Sequence, residues 1–271
     1  MPSRIQFPAL ISHRNNLLVP RLRALSLLSF LFLVACGGVQ KHPFTNLFTD
    51  QSRSPDTGCH QGYATDCVSH FVFDTHRILK RADDATWHIT GVNDTPFDGL
   101  TGFDHIGDGD YFEGVLYAPV EQYSSCTNDS NPAIFLFDAS TLVRTRVVDL
   151  PVTQEVSGVA VLPAARELWV SSYCNSTQLW VYDVDSFELK RIVVLAQALL
   201  NVQGLAYREP YFYVTQNDGT LFRISQDGAA TLVFQSPSPG AHEGLDYSQQ
   251  ELRWLIDEGL GQQKIHFLVP K

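Results

Sequence analysis

Downstream of residue 57 the apolar positions fall in short runs rich in Val, Leu and aromatics, separated by groups of Asp, Gly, Ser and Asn. Such runs between turn-forming residues predict strands. No stretch of a dozen residues there has a convincing 3.6-residue period, so helices are not expected. The runs also recur in register. A polar residue, a glycine and an apolar pair, then a turn and an aromatic strand, appear at Gln61, Thr101, Ser157, Gln203 and Glu243. The steps between them are 40, 56, 46 and 40 residues, the long one containing the loop "VEQYSSCTNDSNP".

Each unit continues with a third run such as "AIFLFDA", "QLWVYDV" or "TLFRIS" and a fourth such as "RTRVVDL", "KRIVVL" or "ATLVF". Four antiparallel strands in about 40–45 residues make one blade of a β-propeller. Five first-strand signatures predict an all-β, five-bladed propeller. The fifth unit stops after "KIHFLV", one strand short, and "FTNLFTD" (residues 44–50) is expected to close the ring from the other terminus. A six-bladed ring follows if that segment belongs to an extra blade, and a two-layer sandwich would leave the repeat unexplained. Where first strands converge, Gly62, Gly102, Gly158, Gly204 and Gly244 would let backbones approach without a Cβ.

This topology sorts the cysteines. Cys126 and Cys174 fall in loops on one face of neighbouring blades, which predicts a disulfide between them. Cys59 and Cys67 flank an extended strand that would hold them roughly 20 Å apart, beyond disulfide reach, so no bond is expected unless that strand is broken.

The N-terminus has a different character. Arg4, Arg14, Arg21 and Arg23 precede the stretch "ALSLLSFLFLVA", with no acid among them. Twelve residues span about 18 Å as a helix, short of a bilayer core of about 30 Å. A basic flank, short apolar core and small residues predict a secretory signal over residues 1–35. A tether carrying the ring-closing strand would follow at 36–56 and the propeller domain at 57–271. The chain's formal charge is −10; removing the four arginines leaves 15 basic against 29 acidic residues, or −14. With no basic run or Arg/aromatic cluster, nucleic acid is not an expected partner.

"LVAC", ending at Cys36, resembles the lipobox of bacterial lipoproteins. The resemblance implies a lipoprotein in which Cys36 carries acyl chains of the palmitate type and anchors the domain to a membrane of the cell envelope. Gly37, where an aspartate would retain such a protein, implies the outer membrane.

Candidate chemistry gathers at the expected channel mouth. Gln61, Thr101, Ser157, Gln203 and Glu243 would present oxygens around one axis as a ligand-binding ring, and such a ring suits a hard divalent cation such as calcium, with Glu243 as its one anionic ligand. His60 and His242 would meet across the seam between the first and last blades, beside Glu243, and suit acid–base work or a transition metal. Asp104 and Asp246 occupy equivalent repeat positions where Ala64, Ala160 and Ala206 stand elsewhere. The Asp108–Gly109 step is expected to form a tight hairpin, with Asp110 as part of it. No nucleophile elbow or phosphate loop is present.

In repeat rhythm, residues ~57–271 resemble the broad superfamily of NHL-repeat, SMP-30/gluconolactonase and strictosidine-synthase-like propellers. Members of the gluconolactonase type hold a divalent metal over the channel with Glu, Asn and Asp. Glu243 matches that Glu, while the corresponding residues here are Gln61, Thr101, Ser157 and Gln203. The first functional expectation is a lipid-anchored module that binds an envelope protein or a small-molecule ligand. The alternative is a metal-dependent hydrolase or lactonase using Glu243, His242, His60, Asp104 and Asp246.

Overall fold

The computed structural model describes residues 46–123, 126, 131–238, 240–248, 250–258 and 262–271. Cys36 and the expected signal lie outside the described residues. Within them the chain forms five antiparallel sheets arranged as the blades of a propeller. The inner strands are Gly62–Thr65, His105–Ile106 continued by Asp110–Phe112, Val156–Leu162, Val202–Arg208 and His242–Ser248.

The last blade is completed by Phe48–Arg53, which pairs antiparallel with Gln263–Pro270, so the two ends of the described chain share one sheet. The expected segment, residues 44–50, overlaps only the start of that strand. Phe48 is its anchor, buried edge-on against Tyr213 with ring centroids 5.7 Å apart. The rest, "TDQSR", is an outer edge whose side chains mostly face solvent, so no apolar pattern marks it.

Aromatic residues fill the spaces between blades. Trp169 stacks on Phe212 at 4.1 Å between the third and fourth blades, and Phe234 meets Trp254 edge-on at 6.2 Å between the fourth and fifth. Both tryptophans are fully buried. At the axis, glycine is required by contact. A Cβ on Gly244 would stand 2.5 Å from the Cα of Gly62, and one on Gly204 would stand 2.9 Å from the backbone nitrogen of Leu245.

The second blade corrects the repeat alignment. Gly102 is exposed in a loop, and among the described residues only the Asn131 side chain comes near its missing Cβ. The axial glycine is Gly107, where a Cβ would stand 2.5 Å from the Ser157 carbonyl oxygen. With Ile106 in the polar position, the repeat steps become 45, 51, 46 and 40 residues, more even than those first read. Asp108 then replaces the apolar residue that follows the glycine in every other blade. It forms no hairpin. Its strand is split at Gly107–Gly109, and glycine is required after it: a Cβ on Gly109 would be 2.7 Å from both Phe73 and the Tyr117 carbonyl oxygen.

Asp108 is fully buried and reaches every other blade. Its Oδ1 accepts the Tyr63 N–H at 2.9 Å, and its Oδ2 accepts the N–H groups of Leu205 and Leu245 at 3.1 Å each. Its backbone exchanges hydrogen bonds with Ser157 and Val159 of the third blade at 2.7 and 3.1 Å. Burial pushes the carboxyl well above its usual range, against the pull of the three N–H donors.

Asp108→Ala should therefore leave three buried N–H groups without an acceptor, at about 1–3 kcal/mol apiece. We expect a loss on the order of 3–5 kcal/mol in denaturant unfolding. Asp108→Asn should lose less, because one oxygen still accepts. A loss below about 1 kcal/mol for the alanine variant would show that this clasp does not hold the ring.

Candidate functional site

In the third, fourth and fifth blades the residue just before the axial glycine stands in a β-bulge. The ladder skips from Val156 to Gly158 and from Val202 to Gly204, and it shifts again between His242 and Leu245. A bulge re-aims the side chain of its extra residue. Ser157 and Gln203 are turned by this device into a cleft of about 480 Å³ at the channel mouth, where Gln61 joins them from the first blade. Neither glutamine side chain makes a hydrogen bond among the described residues, so both amides face the cleft uncommitted.

The remaining wall comes from the second and third blades. Glu121 ends the strand Val115–Glu121 and is 1% exposed. One of its oxygens accepts the Val156 N–H at 2.8 Å. Burial, and then the neighbouring Glu155, push its carboxyl up to about 9. Glu155 is itself buried and raised by that burial, and it accepts the Cys126 N–H at 3.2 Å. His105 stacks on Tyr123 with ring centroids 5.5 Å apart, and burial lowers its pKa. Asp104 accepts the Tyr123 N–H at 2.7 Å. Tyr173 faces the cleft from the third blade, its hydroxyl 3.4 Å from Asn217 Nδ2. The cleft thus combines the carboxyls of Glu121, Glu155 and Asp104, the imidazoles of His105 and His76, two phenols and two free amides, with burial favouring the neutral forms of Glu121, Glu155 and His105.

The expected disulfide is present, with Cα atoms 5.6 Å apart. It joins the loops that follow Tyr123 and Tyr173, so it fixes two walls of the cleft together. Cys59 and Cys67 are free, as the extended strand between them requires.

Of the residues singled out in the sequence, Gln61, Ser157, Gln203 and Asp104 come together around the cleft. Thr101 does not; it is exposed in the loop that the corrected alignment removes from the axis. Glu243 does not line the cleft; it is 6% exposed, its Oε2 has no hydrogen-bond partner among the described residues, and its carboxyl is pushed up to about 8 by burial and then by Asp257. The His60–His242 pair is not formed. His60 is half-exposed beside Asp74 at 3.4 Å, whereas the buried His242 ring packs on Trp254 at 5.1 Å. The second ring turns instead toward the fourth blade, its Nδ1 3.4 Å from the Asn217 carbonyl oxygen.

Asp104 and Asp246 are not equivalents either, since Gly109 occupies the position of Asp246 in the second blade. The charge neighbours of Asp246 are Asp110 and, opposite it on the next strand, Arg253. Asp246 accepts the Thr65 N–H at 2.7 Å and Asp110 the Val161 N–H at 2.6 Å, and burial raises both carboxyls.

Among the described residues no three His, Cys, Asp or Glu side chains are gathered closely enough to hold a metal ion. Calcium needs six to eight oxygens including carboxylates. A buried Glu243 that favours its neutral form and does not join Gln61, Ser157 and Gln203 around the cleft does not fit it.

Glu121, Glu155, Tyr123 and Tyr173 were not read from the sequence. One local signal existed: Glu121 closes an otherwise apolar strand, "VLYAPVE", in a buried register.

No family model matches this chain, and no curated protein does. Among solved structures it is similar to the glutaminyl cyclase of Myxococcus xanthus, with a TM-score of 0.62 at 12% identity over 83% of this chain and 97% of that one. Virginiamycin B lyase from Staphylococcus aureus gives a TM-score of 0.46 at 14% identity, covering 77% of this chain and 70% of that one. BamB from Moraxella catarrhalis gives 0.39 at 16% identity, covering 78% and 58%. What the chain shares with the glutaminyl cyclase is the fold.

The Glu121 shift has a consequence for stability. An acid whose folded pKa is raised stabilises the fold fully below its unfolded value, near 4.5, and that contribution is lost as pH rises through about 9. Glu243 acts in the same direction. The melting temperature should fall between pH 5 and 9, with Glu121 contributing at most on the order of 1 kcal/mol per pH unit. Glu121→Gln should flatten that fall in a thermal-melt series. An unchanged slope would show that Glu121 ionises in the folded protein without penalty.

Proposed function

We propose that this chain is a lipid-anchored propeller of the cell envelope that binds a small polar ligand in the cleft at its channel mouth. The observation that carries the reading is the convergence of uncommitted polar groups from separate blades. The free amides of Gln61 and Gln203 face a cavity of about 480 Å³ whose walls include Glu121 and Tyr173. Ligand pockets of this size place a few polar groups on a preformed wall. The ligand class that suits these groups carries amine, amide or hydroxyl donors.

A second reading is favoured by Glu121 itself. A carboxyl held protonated at neutral pH, with a second carboxyl beside it, is equipped to act as a general acid. In such a reaction Glu121 would donate its proton to a leaving group, and Gln61 and Gln203 would position the substrate. One similar structure is that of an enzyme, a glutaminyl cyclase, but at 12% identity it supports the fold alone. The metal-dependent hydrolase reading at Glu243 lacks a comparable donor set.

The full chain in detergent can be screened by ligand-observed NMR against amino acids, amides, amines and sugars. We expect one class to bind, and its affinity to fall at least tenfold in both Gln203→Leu and Glu121→Gln, about 1.4 kcal/mol or more. Turnover of a bound compound, lost in Glu121→Gln, would select the enzymatic reading. Absence of binding across all four classes would overturn the small-ligand reading.

The anchor rests on the basic flank, the 12-residue apolar stretch and "LVAC" before Gly37. Among the described residues no helix is long and apolar enough to cross a membrane. Cys36→Ser should abolish labelling by radioactive palmitate and shift the protein out of the outer-membrane fraction. A wild-type protein that takes up no label would remove the anchor from this proposal.

A further inference from the structure

The opposite end of the fourth blade carries a second pocket, of about 320 Å³. Gln203, near the start of the inner strand, faces the cleft; Arg208, at its end, faces this pocket, roughly 17 Å further along the strand. Cross-strand register places Arg208 opposite Tyr211, and Tyr213 opposite both Ala206 and Arg223. These side chains share one face of the sheet, the face that Phe48 of the ring-closing strand packs against.

The two arginines are unusual in this chain. Every other arginine among the described residues donates a hydrogen bond to a carboxylate, a carbonyl, or a phenol oxygen. Arg208 and Arg223 make none and form no ion pair among the described residues. Acids outnumber basic residues 29 to 19 in the sequence, so partners were not scarce. Glu209 lines the same pocket yet pairs with neither.

Instead each guanidinium lies over a ring: Arg208 over Tyr247 at 4.8 Å, and Arg223 over Tyr211 at 4.4 Å. Stacking fixes the planar group while leaving its edge donors free. Tyr213 stands between them. Its hydroxyl is raised by burial and pulled back down by both arginines, so both charges act on the same point.

Two oriented guanidinium groups and a phenol, with their donors unused, match the geometry of carboxylate and phosphate oxygens. Phe48, Leu47 and Pro270 add an apolar wall. We propose that this pocket is a second binding site, for a small organic anion whose carboxylate or phosphate is held between Arg208 and Arg223 and whose apolar body lies against Phe48. The site is separate from the channel-mouth cleft and does not depend on the function assigned there.

The test is calorimetric titration of the full chain in detergent with benzoate and with phenyl phosphate, using benzyl alcohol as the uncharged control. Saturable binding of at least one anion is expected, weakened at least tenfold in Arg208→Gln and in Arg223→Gln and unchanged in Gln203→Leu. Whichever probe binds more tightly identifies carboxylate or phosphate as the recognised group. Circular dichroism of each variant checks that the sheet content is retained. Failure of both anions to bind, equal binding of benzyl alcohol, or undiminished binding in both folded arginine variants would overturn the proposal.

Discussion

Five inner strands meet around one axis here, and none of them pairs with its neighbour's full length. Their axis-facing N–H groups are therefore left over after each blade has formed, in a place water fills poorly. Buried backbone donors need acceptors. Asp108 supplies acceptors for Tyr63, Leu205 and Leu245 with one side chain. The same device recurs away from the axis centre, where Asp110 takes Val161, Asp246 takes Thr65 and Glu121 takes Val156. In each case a carboxyl from one blade completes the backbone of another. The interior of this acidic chain is held together partly by acids.

That arrangement also shapes the cleft. A carboxyl that accepts backbone N–H groups in a dry site is drawn toward ionisation by its donors and away from it by burial. Burial dominates at Glu121 and Asp108, which raises both. The cleft is consequently polar without carrying the full charge that its acids would bring in water. The Cys126–Cys174 bond sets the distance between the loops that carry Tyr123 and Tyr173, and Cys126 donates its N–H to Glu155. Covalent closure of the rim and solvation of its acid are thus parts of one structure.

Much of the architecture was legible along the chain. The repeat of short apolar runs specified blades, and the unpaired last unit specified a strand from the other end. Loop positions specified the disulfide. Gln61, Ser157 and Gln203 were found because a polar residue before an axial glycine repeats in sequence. The second blade resisted because its strand breaks at Gly107–Gly109 and puts an acid where the pattern has an apolar residue. "TGF" matched the local pattern better than "IGD", yet Gly102 sits in open solvent.

The sequence by itself determined the strands, their grouping into fours and the number of groups, because these follow from periodicity and turn chemistry over a few residues. Only the tertiary structure decided which acids are buried, which backbone they serve and which of them meet. Asp108 contacts residues 45, 97 and 137 positions away, and His242 is withdrawn from His60 by its packing on Trp254. Such contacts depend on how blades close on one another, and a local pattern carries no record of the neighbour's surface.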